Sequence, residues 1–251
     1  AVSLAEGRAT RVAVKILHRT SISESDLSPD KCQAFLSEAA IIMSLRHPNI
    51  VTFMGVSLVP PALVTEFLDR GALYDYIHNP AMEIDISARM QWAYEIAAGV
   101  AFLHESNTLH LDLKSLNVLL SSSWTAKLCD FGLSTLARTA VGPDEETKAG
   151  SITAGTKADA SGAVVLGTMY WTAPELLMTA IVATPTAVAP PADVYSLGIV
   201  LYELFARSLP YPLGSNTFAL TLDIMRGKQR PDVAAVVADT PQEVVQIMTS
   251  E

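Results

Sequence analysis

Two cysteines in 251 residues, Cys32 and Cys129, are too few for a disulfide scaffold and have no metal-binding companions at short spacing. Basic residues are in the minority as well: 17 Lys and Arg stand against 26 Asp and Glu, a formal net charge of -9. That balance argues against nucleic acid or an anionic membrane surface as the main partner. No apolar run reaches the ~18 to 20 residues that cross a bilayer. The most apolar stretch, VYSLGIVLYELFA, is interrupted by Glu203. The first residues carry no basic-then-apolar leader pattern. A reduced, cytoplasmic setting is therefore expected, for the chain alone or as the intracellular part of a larger protein. What is abundant is apolar surface. Half the residues are hydrophobic and 17% are charged, the composition of a globular protein that buries a sizeable core.

In RVAVKIL, Val12, Val14 and Ile16 alternate with Ala13, Lys15 and Leu17, the period-2 pattern of a strand. A helix follows the polar connector SISESDLS. Ser28 is placed to cap it, Pro29 suits its first turn, and Phe35, Ala39, Ile42 and Met43 form its apolar stripe. It ends near His47-Pro48, because the residue before a proline is pushed out of helical geometry. IVTFMGVSL and PALVTEFL read as strands. DISARMQWAYEIAAGVAFLHES then reads as a long helix, with Ile86, Met90, Ile96, Val100 and Leu103 near helical spacing. NVLL and AKLCD are short strands flanking the turn SSSWT. Residues 139–163, rich in Ala, Gly, Thr and Ser, read as a mobile insert. ADVYSLGIVLYELFA is apolar on nearly every side and predicts a helix buried within a domain.

Taken singly, several residues admit plain readings. Lys15 on an apolar strand can be a lysine snorkelling at a sheet edge. Glu38 in mid-helix can be a solvated glutamate, although a buried lysine and a buried glutamate would explain one another. HLDLKSLN is harder to dismiss, because it gathers Asp112, Lys114 and Asn117 into one short loop between a helix and a strand. An acceptor, a cation and an amide carbonyl so grouped can take a hydroxyl proton, meet a phosphate and help to hold a metal. Asp130 ends an apolar strand and precedes Phe131-Gly132, a setting suited to a hard cation bound through oxygen.

In order and spacing, VAVK, a helical Glu, H-x-D-x-K-x-x-N, DFG and Ala173-Pro174-Glu175 resemble the signature set of the protein kinases over essentially the whole chain. The resemblance implies an α+β, bilobal fold: a β-rich lobe over residues 1–66 with one regulatory helix, a hinge at 67–71, and a mainly helical lobe over 72–251. It implies ATP and Mg2+ as cofactors and a protein substrate as partner, with no nucleic acid and no membrane insertion by this segment. Lys15 would hold the α- and β-phosphates and pair with Glu38. Asp112 would accept or orient the substrate hydroxyl, Lys114 would neutralise the transferring group, and Asn117 and Asp130 would bind the metal. Thr65 would be the gatekeeper, the backbones of Glu66 and Leu68 would pair with adenine, and Val2, Ala13 and Leu119 would sandwich the ring. Asp193 would anchor the catalytic loop.

Lys114 in LDLKSLN and the GTMYWTAPE segment resemble the Ser/Thr type, with Thr168 bridging Asp112 and Lys114. The wording LRHPNIVTFMGV and DLKSLN is most similar to the tyrosine-kinase-like group of Ser/Thr kinases, the Raf and mixed-lineage relatives. Several departures stand out. No glycine-rich loop precedes Lys15, Leu111 replaces the usual Arg before Asp112, and the chain stops at QEVVQIMTSE, before the family's final helices. They keep open a second reading, a catalytically weak kinase-like binding or scaffold module. Leu111 also implies that activity does not need a phosphate docked on the segment leading to Glu175. Cys129 reads as a packing residue before a reactive thiol, and His110 as a core histidine supporting Phe131.

Overall fold

The computed structural model describes residues 2–5, 8–16, 39, 42–58, 60–130, 168–182, 190–212, 217–236 and 238–249. Four antiparallel strands open the chain: β1 (Val2–Ala5), β2 (Arg8–Ile16), β3 (Phe53–Leu58) and β4 (Pro61–Glu66). Their order in the sheet is β1-β2-β4-β3. The β2–β4 register sets Ala13 opposite Thr65 and Lys15 opposite Leu63. The β3–β4 register shifts by one residue between Phe53 and Gly55. Ala39 and residues 42–44 are helical, and Ala39, Ile42 and Leu45 are buried. The cap at Ser28, the insert at 139–163 and Glu38 lie outside the described residues.

The rest is mainly helical. It comprises α1 (Leu73–Ile77), α2 (Ile86–Glu105), α3 (Pro174–Val182), α4 (Pro191–Ala206), α5 (Thr217–Met225) and α6 (Gln242–Thr249), with a two-stranded ribbon of β5 (Val118–Leu120) and β6 (Ala126–Leu128). Asp85 starts α2, since its carboxylate accepts the Ala88 N–H at 2.7 Å and so satisfies an otherwise orphaned donor. Ile86 and Met90 are only half-buried. The face that faces inward is Trp92, Ala93, Ile96, Gly99, Val100 and Leu103.

Helix α4 is buried along most of its length, as its composition requires. It ends at Arg207, which takes left-handed backbone geometry (φ 52°). The Arg207 guanidinium donates to four carbonyls of the α1–α2 connection: Tyr76 at 3.2 Å, Ile77 at 3.1 Å, Asn79 at 2.7 Å and Met82 at 2.6 Å. One apolar cluster runs from Phe53 and Leu63 in the sheet through α2 and α4 to Val244 in α6.

Residues 49–51 join the sheet to the helical part. Ile50 bridges in parallel to Leu128, Val51 N–H donates to Leu128 O at 2.9 Å, and Asn49 O accepts the Leu128 N–H at 2.8 Å. The buried Asn49 amide adds a bond to Ala126 O at 3.0 Å. Gly99 allows this close approach. A methyl group built there would lie 3.0 Å from Asn49 O and 3.0 Å from Leu128 Cδ1. Gly99→Ala is therefore expected to destabilise the protein by about 1–3 kcal/mol, the clash outweighing the gain in helix propensity. A thermal midpoint at or above that of the native chain would refute this.

Candidate active site

The loop before β5 is shaped by one buried carboxylate. Asp193, in the first turn of α4, accepts the His110 N–H and the Leu111 N–H, both at 2.8 Å, and His104 Nε2 at 2.9 Å. These bonds hold Leu111 at φ 61°, an unfavourable geometry for a leucine that turns the chain so that Asp112 follows directly. His110 is fully buried. Burial pushes its imidazole below the usual value, against the pull of Asp193 and Asp112, so it is neutral at pH 7. Its Nδ1 accepts the Asp112 N–H at 3.3 Å.

Three of the sequence-predicted residues meet here. Lys114 Nζ donates to both oxygens of the Asp112 carboxylate, at 3.0 and 2.9 Å. Asn117 Nδ2 donates to the Asp112 carbonyl at 2.7 Å and to its Oδ2 at 2.9 Å. With its nitrogen so engaged, the amide presents Oδ1 as its remaining donor toward a cation. The 3₁₀ turn Ser115–Asn117 sets this spacing, and Asn117 O accepts the Cys129 N–H at 2.9 Å, which draws the end of β6 against the loop. Asp130 follows with φ 61°, a conformation that Asp tolerates better than most residues. Its Oδ1 pairs with Lys15 Nζ at 2.8 Å. Asp112, Lys114 and Asn117 thus form one bonded group, and the Lys15–Asp130 pair is brought beside it through the main-chain bond of Cys129 to Asn117.

Among the described residues no group of three His, Cys, Asp or Glu side chains could hold a metal. Asn117 Oδ1 and the half-exposed Asp130 carboxylate are nevertheless hard oxygen donors, and they suit magnesium. That ion is bound by one or two protein carboxylates together with phosphate oxygens and water.

Of the remaining predicted residues, several lie on or just past the sheet. Ala13 and Thr65 are paired neighbours, Leu68 is buried, and Leu119 is bridged to Ala72 just past the connecting segment. The Glu66 N–H already donates to Thr52 O at 2.9 Å, so of its two backbone groups only the carbonyl, which accepts Thr65 Oγ1 at 3.3 Å, remains to receive a further donor. Val2 lies in β1 opposite Arg11, and Thr168 opens a 3₁₀ turn; the side chains of both fall outside the described residues, as do Glu38 and Phe131. Cys129 is a packing residue. Burial, reinforced by the Asp130 charge, pushes its thiol up to about 12.

Two features escaped the sequence reading. The Glu66 side chain braces the connection, accepting Lys127 Nζ and the Thr52 N–H, each at 2.7 Å. Burial raises its carboxyl, but these donors outweigh burial and hold it below the usual carboxylate value. Glu203, fully buried in α4, accepts Ser115 Oγ at 3.0 Å, His78 Nε2 at 2.9 Å and Trp171 Nε1 at 2.6 Å. Its interruption of the apolar stretch was the available signal, because a lone charge in a buried helix requires partners.

Comparison with known proteins agrees with this geometry. Residues 2–250 match the family model described as protein tyrosine and serine/threonine kinase. The chain is 37% identical over 230 residues to a putative serine/threonine-protein kinase/receptor of Acanthamoeba polyphaga mimivirus, covering 90% of this chain and 13% of that protein. It is 37% identical over 206 residues to the probable serine/threonine-protein kinase SIS8 of Arabidopsis thaliana, covering 80% and 17%. It is 38% identical over 216 residues to the serine/threonine-protein kinase CTR1 of the same plant, covering 84% and 23%. The chain thus spans less than a quarter of the length of these relatives. No helix among the described residues is long and apolar enough to cross a membrane. With the family model matched almost end to end, and Asp112, Lys114 and Asn117 brought into contact in the loop before β5, the chain belongs to the protein tyrosine and serine/threonine kinase family.

Proposed function

We propose that this chain transfers the γ-phosphoryl group of ATP, with magnesium, to serine or threonine hydroxyls of a protein substrate. The observation that carries the reading is the Asp112 carboxylate, gripped by Lys114 and Asn117 and joined through the end of β6 to the Lys15–Asp130 pair. A hydroxyl placed against Asp112 meets an acceptor for its proton, and Lys114 stands beside it to offset charge on the transferring group. Lys15, about half exposed, is free to exchange Asp130 for phosphate oxygens. Asn117 Oδ1 and Asp130 would hold the metal, which would supply positive charge against the phosphate oxygens. Glu66 O and Leu68 present backbone groups to adenine, with Ala13 and Leu119 on either side of the ring. Residues 1–66, the segment 67–71 and residues 72–251 act as lobe, hinge and lobe.

The Ser/Thr choice rests on Lys114 in its loop, on the GTMYWTAPE segment and on the names of the relatives. Incubation with labelled ATP, magnesium and a generic protein substrate, followed by phosphoamino-acid analysis, should yield phosphoserine or phosphothreonine. Phosphotyrosine alone would overturn the Ser/Thr reading. Magnesium-dependent thermal stabilisation by ATP without any transfer would favour the scaffold reading instead.

Leu111 sharpens the regulatory expectation. Where a cation would dock a phosphate, this leucine packs against the apolar group Ala173, Leu176 and Ala192. Phosphatase treatment of the purified protein should leave its transfer rate unchanged. A loss of activity would show that a phosphate docks elsewhere.

A further inference from the structure

Trp124 stands where the turn between β5 and β6 favours a glycine. Ser121 N–H donates to Thr125 O at 3.0 Å and Trp124 N–H to Ser121 O at 2.9 Å, which leaves the three-residue loop 122–124. The last position of such loops is left-handed, and Trp124 takes it with φ 65°. Glycine enters that geometry freely, whereas a bulky side chain enters it at a cost. Contacts outside the turn must therefore hold the indole in place.

Three neighbours do so. Trp92 Nε1, from α2, donates to Trp124 O at 2.8 Å. The Tyr76 ring, from α1, stands nearly perpendicular to the indole (78°), with centroids 5.3 Å apart. The Arg70 guanidinium lies over the indole, 3.8 Å from its ring centroid, and its Nε and Nη2 donate to Ser122 O at 3.3 and 3.2 Å. Arg70 belongs to the segment that joins the sheet to the helical part, and the main chain around it is fastened nearby. Arg70 O accepts Tyr76 Oη at 3.1 Å, Gly71 O accepts the Leu120 N–H at 2.9 Å, and Ala72 bridges to Leu119. The stack of guanidinium on indole thus lies at the point where the connecting segment meets the strand that carries Leu119.

We propose that Arg70 and Trp124 are positioning residues for the nucleotide: stacked together, they hold the end of the connecting segment against β5 and so fix where the Leu68 backbone stands relative to Leu119. The proposal rests on the kinase reading above, in which Leu68 presents its backbone to adenine and Leu119 flanks the ring. Neither Arg70 nor Trp124 meets the nucleotide in that reading. Both act through the main chain of residues 68–72.

Trp124→Gly is the decisive variant, because it supplies the residue that the turn favours while it removes the ring. An indole that served the turn alone could be replaced in this way without loss. Instead, the Kd for ATP with magnesium, measured by calorimetry, and the KM for ATP should both rise about three- to tenfold. The kcat at saturating ATP and the KM for a peptide substrate should stay close to native. Trp124→Phe, which keeps a ring beneath the guanidinium, should recover most of the loss. Arg70→Met should act as Trp124→Gly does, and the double variant should be no weaker than the worse single, since both remove one contact. Amide exchange at Leu120, whose N–H bonds Gly71 O, should quicken in both singles.

Native Kd and KM for ATP in Trp124→Gly overturn the proposal. So does a fall in kcat and a rise in peptide KM that keep step with the KM for ATP, which would make the stack a general support. Single effects that multiply in the double variant overturn it as well. Absence of both ATP binding and transfer in the native chain would instead refute the kinase reading. Exchange at Leu120 would then decide by itself whether the stack holds the segment, a native rate in the variants overturning it.

Discussion

Asp112→Asn should lower the phosphoryl-transfer rate by about 10²- to 10⁴-fold, the range associated with losing a positioned acid–base group, while nucleotide affinity changes little. The carboxylate has three donor contacts, two from Lys114 Nζ and one from Asn117 Nδ2. An amide keeps the shape but loses the charge that pairs with Lys114. It also sets an NH2 group against either Lys114 or Asn117, both of which are donors there. The hydroxyl proton of a substrate then has no anionic acceptor. The loop should survive, because its backbone is held independently: Asn117 Nδ2 bonds Asp112 O, and Asp193 holds the two preceding N–H groups. On the proposed reading, the nucleotide meets Lys15, Asp130 and the connecting segment, none of which bonds the Asp112 carboxylate, and Asn117 keeps its bond to Asp112 O. Single-turnover transfer measured beside calorimetric ATP titration separates the two effects. Undiminished transfer would sink the role given to Asp112, and lost ATP binding would point to a collapsed loop.

The largest expected effect on stability lies far from this chemistry. Arg207→Ala should cost about 3–4 kcal/mol, because it leaves four main-chain carbonyls without their charged donor. Those carbonyls belong to the end of α1 and to the turn that connects it to α2, where Tyr76 O and Asn79 O each accept a main-chain N–H besides the guanidinium. Part of the loss is recovered, since Arg89 no longer faces a second guanidinium. Burial, and then the Arg207 charge, hold Arg89 below its usual value. Arg207→Lys should recover only a fraction, because an ammonium cannot match the planar fork that reaches four acceptors. In a protein of this size the Ala variant should melt roughly 6–12 °C lower. A shift under about 2 °C would show that water replaces the guanidinium at little cost.

Local pattern made much of this legible. Alternation in RVAVKIL predicts β2. The length and spacing of DISARMQWAYEIAAGVAFLHES predict α2 to within a residue at each end, and the all-round apolarity of ADVYSLGIVLYELFA predicts a buried α4. Asp112, Lys114 and Asn117 share one short loop, so their grouping shows in the sequence. Their bonds do not, and neither does the pairing of Lys15 with Asp130, since Glu38 was the partner expected for that lysine. Long-range polar contacts are the general gap. Glu203 is 88 residues from Ser115, 32 from Trp171 and 125 from His78, and no periodicity encodes such meetings. Glu66 illustrates a second limit: its backbone was expected to serve a ligand, whereas its side chain is spent on Lys127 and Thr52, 61 and 14 residues away. Short helices such as α1 and α5 have too few turns for an apolar stripe to stand out.

The parallel bridge between Ile50 and Leu128 has a mechanical consequence. The strand leading into β3 is clamped to β6 by two main-chain bonds at Leu128, and the far end of β4 is clamped by the Glu66–Lys127 pair. Both ends of the β3–β4 hairpin that face the helical part are thus fastened to the same short ribbon. The sheet can tilt on that ribbon like a flap on its seam, but it cannot slide along it without breaking these bonds together. On the proposed kinase reading, admitting or releasing a nucleotide would call for a rocking of the sheet about this seam rather than a slide along it, with the Lys15–Asp130 pair parting as it opens.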